Sequence, residues 1–188
     1  TASEKGKINT TLTLKNQNGR NVNYTVDNNN QATITFEGKV ARQNDKGATT
    51  PESYYCAARI VTDGGSVTKN AKGLIEVSGA NSMTVYLRGL TDFDPDAAEY
   101  VSGADRLAGR ATATVNNAEN KGYDALLAAH KADYKSLFDR CQLTLADSKN
   151  TIPTPQLISN YRDNQHDNLF LEELYFNYGR YLLISSSR

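Results

Sequence analysis

Apolar and polar residues alternate along the first part of the chain, and this alternation is typical of half-buried β-strands. The first run covers residues 8–14, the second residues 22–26 and the third residues 32–36. Asn18-Gly19, between the first two runs, indicates a hairpin turn because both residues tolerate a positive φ. The pattern therefore predicts three strands in an antiparallel meander.

Four more strands are predicted, at residues 54–62, 66–69, 74–77 and 83–87. The last two are expected to pair with each other across a turn that contains Gly79. Residues 41–52 are polar and include Gly and Pro, so they are predicted to form a surface loop. Many short strands at this spacing indicate a β-sandwich or part of one.

The stretch 122–140 marks the change from strand to helix. Its apolar residues recur at steps of three and four, which places them on one helical face: Tyr123, Leu126, Leu127, His130, Tyr134, Leu137 and Phe138. Charged and polar residues occupy the opposite face. The pattern predicts an amphipathic helix whose aromatic stripe packs on the rest of the protein.

Shorter elements are predicted on both sides of this helix. The Ala-rich residues 97–120 favour a helix broken near Gly103 or Gly109. Residues 142–145 are predicted to form a short strand that would rejoin the sheet. Thr154-Pro155 is a typical helix start, with Thr as the cap and Pro at the first helical position.

The residues from Asn168 onwards predict a final helix that is apolar on nearly all sides. One face carries Leu171, Leu174 and Tyr178, while Phe176 and Leu183 lie on others. A helix of this kind belongs inside a larger structure, and few helical residues precede it. We therefore expect the 188 residues to be a piece of a longer polypeptide. An exposed helix of this kind would also be a possible contact for an oligomer.

The charge balance predicts neither a nucleic-acid partner nor a membrane partner. Lys plus Arg and Asp plus Glu number 21 each, so no net field attracts a polyanion. No apolar run is long enough to span a bilayer, and the first residues lack the apolar core of a signal peptide. Cys56 and Cys141 fit better as two small buried residues than as a disulfide, which is the alternative.

Three spaced carboxylates, Asp92, Asp94 and Asp96, resemble the beginning of a calcium loop. The sixth position of that loop is Ala97 and the twelfth is Gly103, where the motif requires Gly and Glu. The pattern therefore favours carboxylates at a helix N-terminus, where the helix dipole stabilises negative charge.

Two other pairs of residues could carry acid–base chemistry. Glu172 and Glu173 are adjacent on a helix, so they diverge by about 100° and cannot both face one substrate. His130 and Asp133 share a helical face, but His166 is the only other histidine and lies in a distant loop. We expect His130 to be a buried, hydrogen-bonded residue that fixes helix to sheet.

The sequence contains no G-x-S-x-G, no Walker loop and no H-E-x-x-H, so acyl transfer, nucleotide and zinc chemistry lack a starting residue. No catalytic, cofactor-binding or metal-ligating residue is predicted. Tyr54 and Tyr55 point to opposite faces of their strand, and one of them could bind a sugar. Packing in the core is the better explanation for both.

Three segments resemble glycoside hydrolase family 95, the α-L-fucosidases and their relatives: YDALLAAHKADYKSLFDRCQLTL, IPTPQLISNY and LEELYFNYGRYLLISSSR. GLIEVSGANSMTVYLRGLTDFD is similar to the last strands of that family's N-terminal sandwich. The resemblance covers residues 54–188 and is most specific from Tyr175 to Arg188, which would be the first barrel helix.

The resemblance implies an α+β architecture: part of an antiparallel β-supersandwich, then linker helices, then the first helix of an (α/α) barrel. It divides the chain into residues 1–92 as sandwich, 93–150 as a helical linker with a return strand, and 151–188 as the start of the catalytic barrel. It implies a periplasmic or secreted parent that hydrolyses α-L-fucosides of glycans with inversion, using a Glu general acid and a water held by Asn residues and an Asp. No position of this chain matches those residues, so the segment itself is expected to be inactive.

The alternative to this family-based function is a carbohydrate-binding or cell-surface β-module with a helical oligomerisation tail.

Overall fold

The computed structural model describes residues 2–14, 22–43, 47, 49–97, 100–145, 150–163 and 168–186. The chain divides into two compact units, Thr1–Tyr123 and Asp124–Arg188. The Asn18-Gly19 turn and His166 lie outside the described residues.

The first unit is built from strands and one long helix. The strands are β1 (Ile8–Leu12), β2 (Val22–Val26), β3 (Ala32–Gln43), β4 (Thr49–Asp63), β5 (Ser66–Lys69), β6 (Ile75–Ala80) and β7 (Ser82–Thr91). They form two antiparallel sheets, in the orders β1-β6-β5 and β2-β3-β4-β7. A short 3-10 helix at Ala104–Arg106 leads into α1 (Leu107–Lys121).

An apolar core lies between the two sheets. The four-stranded sheet contributes Ala32, Ile34, Ala58 and Ile60, and the three-stranded sheet contributes Val67, Ile75, Val77 and Ala80. Helix α1 covers the other face of the four-stranded sheet, where its Ala111 and Val115 pack on Ala57. The predicted α+β class with an antiparallel sandwich is confirmed, while the barrel stays a prediction.

The predicted meander of the first three strands is wrong. β2 pairs with β3, but β1 pairs with β6 in the other sheet, with Leu12 opposite Ile75. The alternation of residues identifies a strand, but it does not identify the partner of that strand. Pairing with β6 lets Ile8 and Leu12 pack against the core between the sheets.

The predicted pairing of the strands around Gly79 is wrong as well, because β6 and β7 belong to different sheets. Asn81 carries the chain from one sheet to the other. Its N–H donates to the Asp63 carbonyl at 2.8 Å, and its side chain accepts from the Gly6 N–H at 2.9 Å and donates to Asp63 Oδ2 at 3.2 Å. One polar residue therefore ties together the three segments that meet at this crossing.

Much of the predicted loop 41–52 is strand. The ladder between β3 and β4 continues out to Gln43 opposite Thr49. Polar residues occur in loops and also on solvated faces of antiparallel strands, so polarity alone does not distinguish a loop from a long hairpin.

The second unit contains α2 (Tyr123–Phe138), which begins at the unit boundary, α3 (Thr154–Asp163) and α4 (Leu169–Ser186). Gly122 ends α1 with a φ of 77°, which separates α1 from α2 as predicted. The predicted return strand is wrong, since the described residues 141–145 form no strand. The three-part division at residues 92 and 150 stays a prediction. No helix in the described ranges is long and apolar enough to cross a membrane.

Candidate functional site

Charged side chains around Arg59 join the four-stranded sheet to α1 in the first unit. Arg59 lies on β4 with its side chain 16% exposed, and its Nε donates to Glu119 Oε2 of α1 at 2.8 Å. Its Nη2 donates to Asp27 Oδ2 at 2.8 Å and to Gln31, and its Nη1 donates to Thr33 Oγ1 at 3.1 Å. One guanidinium therefore connects β4, the turn between β2 and β3, and the last part of α1.

These contacts shift two pKa values in opposite directions. Burial alone would lower the pKa of Arg59, but its hydrogen bonds and charge attraction to Glu119 and Asp27 raise that pKa overall. Burial alone would raise the pKa of Asp27, but the Arg59 hydrogen bond, two backbone N–H donors and the Arg59 charge lower it overall. Both groups stay charged at neutral pH, so the cluster acts as an ion-pair link and not as an acid–base pair. The sequence did not predict the role of Arg59. The feature that could have indicated it is a single arginine within an otherwise apolar strand.

The three aspartates do not lie at a helix N-terminus, so that prediction is wrong. Asp92 is buried, and its Oδ1 accepts the backbone N–H of Ser53 at 2.8 Å. Asp94 Oδ1 accepts the backbone N–H of Asp96 at 3.0 Å, which closes a local turn. The carboxylates stabilise the backbone after β7, and the helix begins more than ten residues later.

Glu172 and Glu173 have separate partners within the second unit. Glu172 Oε1 accepts from the Tyr161 hydroxyl at 3.0 Å, and Glu173 Oε2 accepts from the Leu145 N–H at 3.0 Å. The two carboxylates diverge, as the helical geometry predicts, and each holds a different segment against α4. Leu145 lies in the predicted return strand, so the Glu173 side chain takes up an N–H that a sheet would otherwise have bonded.

His130 is exposed, so the prediction of a buried histidine is wrong. Its ring lies 6.4 Å from the Tyr134 ring, centroid to centroid, and Tyr134 in turn stacks on Phe138 at 5.2 Å. Helix α2 has no fully buried residue. His130 therefore belongs to an aromatic row along the helix surface.

Arg180 of α4 caps the C-terminal end of α2. Its Nη1 donates to the Cys141 carbonyl at 2.6 Å, and its Nη2 donates to the carbonyls of Phe138 at 2.7 Å and Leu137 at 3.5 Å. The guanidinium also lies 4.6 Å above the centre of the Phe138 ring. The carbonyls of Leu137 and Phe138 also accept the backbone N–H groups of Arg140 at 3.3 Å and Cys141 at 3.5 Å, so Arg180 adds charged donors to long backbone hydrogen bonds at the helix end.

An apolar groove of about 720 Å³ lies between α3 and α4. Its lining is mainly aromatic and aliphatic: Ile158, Tyr161, Leu171, Leu174, Tyr175 and Tyr178, with Thr154 and Glu172 as polar members. The Glu172 carboxylate is already bonded to Tyr161. The groove therefore presents an apolar surface without a free pair of acid groups.

A shallow hollow of about 520 Å³ lies beside the two tyrosines of β4 in the first unit. Phe36 and Tyr54 meet edge to face at 5.9 Å, and Gly89 leaves open space next to them. Tyr55 packs instead against the cluster below α1. The prediction that the two tyrosines occupy opposite faces is confirmed.

Both cysteines are free. Cys56 is buried, and burial raises the pKa of its thiol, whereas Cys141 is exposed, so the expectation of two buried residues holds for Cys56 alone. In the part of the chain that the structure describes, no group of three or more His, Cys, Asp or Glu side chains could hold a metal ion.

Comparison with known proteins gives a family match in the second unit. The sequence model of the glycosyl hydrolase family 95 catalytic domain matches residues 122–188. The match begins within two residues of Asp124, where the second unit starts.

Three curated relatives are α-fucosidases by name. The chain is 44% identical over 77 residues to probable alpha-fucosidase A of Aspergillus niger, covering 40% of this chain and 10% of the relative. It is 31% identical over 134 residues to alpha-L-fucosidase 2 of Arabidopsis thaliana, covering 68% and 16%. It is 31% identical over 143 residues to probable alpha-fucosidase A of Aspergillus oryzae, covering 72% and 20%. The matched part thus spans a tenth to a fifth of each relative, and the resemblance to glycoside hydrolase family 95 is confirmed.

Proposed function

We propose, from its resemblance to the α-L-fucosidases of glycoside hydrolase family 95, that this chain is a non-catalytic segment of a longer fucoside-hydrolysing enzyme. Its role is to join the β-sandwich to the catalytic domain and to start that domain with α3 and α4. The parent enzyme acts on α-L-fucosides of glycans with inversion, and it is periplasmic or secreted.

The main support comes from the exposed apolar surface of α4. Tyr175 is 80% exposed, and Tyr178, Leu182 and Leu183 are about half exposed or more. Burying each such side chain would contribute roughly 1.5–3 kcal/mol. An 18-residue helix with this surface needs further helices around it. Because the family match covers this helix, we expect those helices to come from the same catalytic domain.

The position of the match supports the same role. The residues similar to the catalytic domain form a compact unit separate from the sandwich. Arg180 links α2 to α4 inside that unit, and Glu173 links α4 to the segment after α2. These side chains thus hold α4 against α2 and against the segment that follows α2.

The carboxylates of α4 support a structural rather than a catalytic role for this segment. Inverting glycosidases need two carboxyl groups about 6.5–9.5 Å apart, facing the same bond from opposite sides. Glu172 and Glu173 instead bond to Tyr161 and Leu145. We therefore place the general acid and the water-holding residues in the part of the parent that follows α4.

The test compares the 188-residue chain with the longer natural polypeptide in an aryl α-L-fucoside assay. We expect no turnover by the chain and turnover with inversion by the longer polypeptide. Glu172→Gln and Glu173→Gln in the longer polypeptide should each keep kcat within about tenfold, since loss of a general acid or base costs about 10²–10⁴. Turnover by the chain alone, or a loss of 10³ in either variant, would refute the assignment.

A second candidate function, sugar binding by the sandwich, is favoured by the hollow beside Tyr54. The Phe36 and Tyr54 rings form an aromatic edge there, and such rings can stack on a sugar. Calorimetric titration of the chain with L-fucose, repeated with Tyr54→Ala, tests it. Heat of binding that disappears in Tyr54→Ala but persists in Tyr175→Ala would favour this candidate.

A further inference from the structure

A cavity of about 250 Å³ in the first unit lies between the four-stranded sheet and the start of α1. Strands β3 and β4 form its floor, and Ala104, Leu107 and Ala108 form an apolar wall. The floor includes Tyr55, which packs on the cluster under α1. Neighbouring residues of a strand point to opposite faces, so this cavity and the hollow beside Tyr54 lie on opposite faces of the sheet.

Four side chains of the floor form a block of two pairs. Glu37 pairs with Tyr55, and Lys39 pairs with Ser53, across the antiparallel ladder of β3 and β4. Residues two apart on a strand share a face and are separated by about 7 Å, so the four side chains lie close together on the α1 side of the sheet. The block combines an aromatic ring, a hydroxyl and two charges of opposite sign.

The Ser53 hydroxyl distinguishes this cavity from an ordinary gap between a helix and a sheet. Ser53 is only 7% exposed, and its backbone is held by Asp92: its N–H donates to Asp92 Oδ1 at 2.8 Å, and its carbonyl accepts the Asp92 N–H at 3.1 Å. Among the described residues, its hydroxyl has no hydrogen-bond partner. In the same residues no side-chain oxygen or nitrogen that is closed off from solvent lacks a partner, so this hydroxyl opens into the cavity that it lines. Buried hydroxyl groups are normally hydrogen-bonded, and this one is placed to bond a ligand.

The lining fits a small neutral molecule that has hydroxyl groups and an apolar face. Glu37 and Lys39 carry opposite charges, so the cavity favours neither a cation nor an anion. The Glu37 carboxylate can accept hydrogen bonds from hydroxyl groups, and the Tyr55 ring and Leu107 offer apolar contacts. The volume is below the roughly 300–1,000 Å³ of sites for drug-sized ligands, so the cavity has room for about one ring.

We propose that this cavity binds one neutral monosaccharide, with sugar hydroxyl groups on Ser53 and Glu37 and the apolar face of the ring against Tyr55 and Leu107. The choice of L-fucose as the sugar rests on the proposed function. The site is held in place before the sugar binds, because Asp92 fixes Ser53 and its carbonyl also accepts the Ser102 N–H at 2.8 Å, two residues before the wall begins. Little ordering is therefore required on binding.

An NMR titration of the ¹⁵N-labelled 188-residue chain with L-fucose tests the site. The amides of Gly38 and Ala108 border the cavity, whereas Val67 and Val77 belong to the other sheet. We expect saturable shifts at the first two amides and none at the other two. The Kd should be about 1 mM, because a single ring has few atoms with which to gain binding free energy. Shifts that are absent at Gly38 and Ala108, or that never saturate, would overturn the proposal.

Two variants test the hydroxyl and the volume, each with a matched control. Ser53→Ala keeps both backbone bonds to Asp92 and should raise the Kd about three- to tenfold, while Ser78→Ala, at an exposed serine of β6, should not change it. Ala108→Leu fills the cavity from its wall and should abolish the saturable shifts. Ala113→Leu makes the same change at an exposed position of α1 and should preserve them. Wild-type binding in both Ser53→Ala and Ala108→Leu would show that the sugar does not bind in the cavity.

Other sites and other ligands give different results. Phe36 lines the hollow beside Tyr54 but not this cavity, so binding that is lost in Phe36→Ala and kept in Ser53→Ala would place the sugar in the hollow and overturn the proposal. Tighter binding of cationic glucosamine or anionic glucuronate than of L-fucose would overturn the preference for a neutral ligand. Fucoside turnover by the longer natural polypeptide reports the proposed function separately. Turnover without sugar binding by the 188-residue chain rejects the cavity alone, and binding without turnover rejects the enzyme assignment alone.

Discussion

Replacing Arg59 by Met should weaken the attachment of α1 to the four-stranded sheet, because Arg59 of β4 bonds Glu119 of α1. Met retains much of the apolar stem but removes every donor of the guanidinium. Glu119 would remain mostly buried without its partner, and the turn that contains Asp27 and Gln31 would lose its connection to β4.

The expected loss follows from the exposure of each partner. Glu119 is 21% exposed, so breaking its bond leaves a largely buried carboxylate, which costs about 3–5 kcal/mol when burial is complete. The Asp27 side chain is 37% exposed, so its pair with Arg59 is screened by water and contributes about 0–1 kcal/mol. With allowance for partial solvation of Glu119, we expect a loss of about 2–4 kcal/mol, out of the roughly 5–15 kcal/mol typical of a domain.

Urea unfolding followed by circular dichroism measures this loss. For an m-value of about 2 kcal/mol per molar, the midpoint should fall by about 1–2 M. Arg88→Met is the control, because Arg88 is exposed on the neighbouring strand β7, and its replacement should change stability by less than about 0.5 kcal/mol. A double-mutant cycle with Glu119→Gln should give a coupling of about 1–3 kcal/mol. Equal effects of the two Met variants, or a coupling near zero, would refute the reasoning.

Three further predictions concern other contacts. Arg180→Met should destabilise the second unit by about 1–3 kcal/mol, because it removes the charged donors to the Phe138 and Cys141 carbonyls. Arg162 is exposed, so Arg162→Met should be neutral in the same thermal melts. The folded-state pKa of Asp27 is lowered, so the ionised Asp27 stabilises the folded protein above about pH 4, and this stabilisation is lost as pH falls through the folded-state pKa. Asp27→Asn lacks this titrating group. Between pH 6 and pH 3 its urea midpoint should therefore fall less than that of the wild type. Gly65→Ala would place Cβ 2.4 Å from the backbone oxygen of Ser78. Gly73→Ala has open space around its Cβ and adds only the strain of a positive φ, about 1–2 kcal/mol. Gly65→Ala should therefore lower the urea midpoint further than Gly73→Ala.

The sequence predicted which segments are strands and helices better than it predicted their partners. Alternation at residues 8–14 and 83–87 correctly predicted β1 and β7, because a strand with one buried face alternates apolar and polar residues along its own sequence. Pairing of β1 with β6 joins residues nearly seventy positions apart, and no local pattern encodes it. The crossing at Asn81 was missed for the same reason, since its bonds to Gly6 and Asp63 are long-range.

The contacts of the candidate site residues depended on tertiary placement. Adjacent glutamates on a helix must diverge, so it could be predicted from helical geometry that Glu172 and Glu173 do not face one site. Their partners, Tyr161 and Leu145, could not be predicted. The exposure of His130 could not be predicted, because a stripe of apolar residues indicates a face but does not show whether anything covers it. Arg59 and Arg180 were missed, since a charged residue reveals its role only when its acceptors come from other parts of the chain.

The cap that Arg180 places on α2 has a consequence for the order in which the protein is made. The carbonyl groups at the end of α2 leave the ribosome about forty residues before the side chain that bonds them. At the usual 5–20 residues per second, that interval lasts about two to eight seconds. During it, the carbonyls of Leu137 and Phe138 have as donors only the backbone N–H groups of Arg140 and Cys141 and water, so the end of α2 gains its side-chain cap only after α4 has been synthesised.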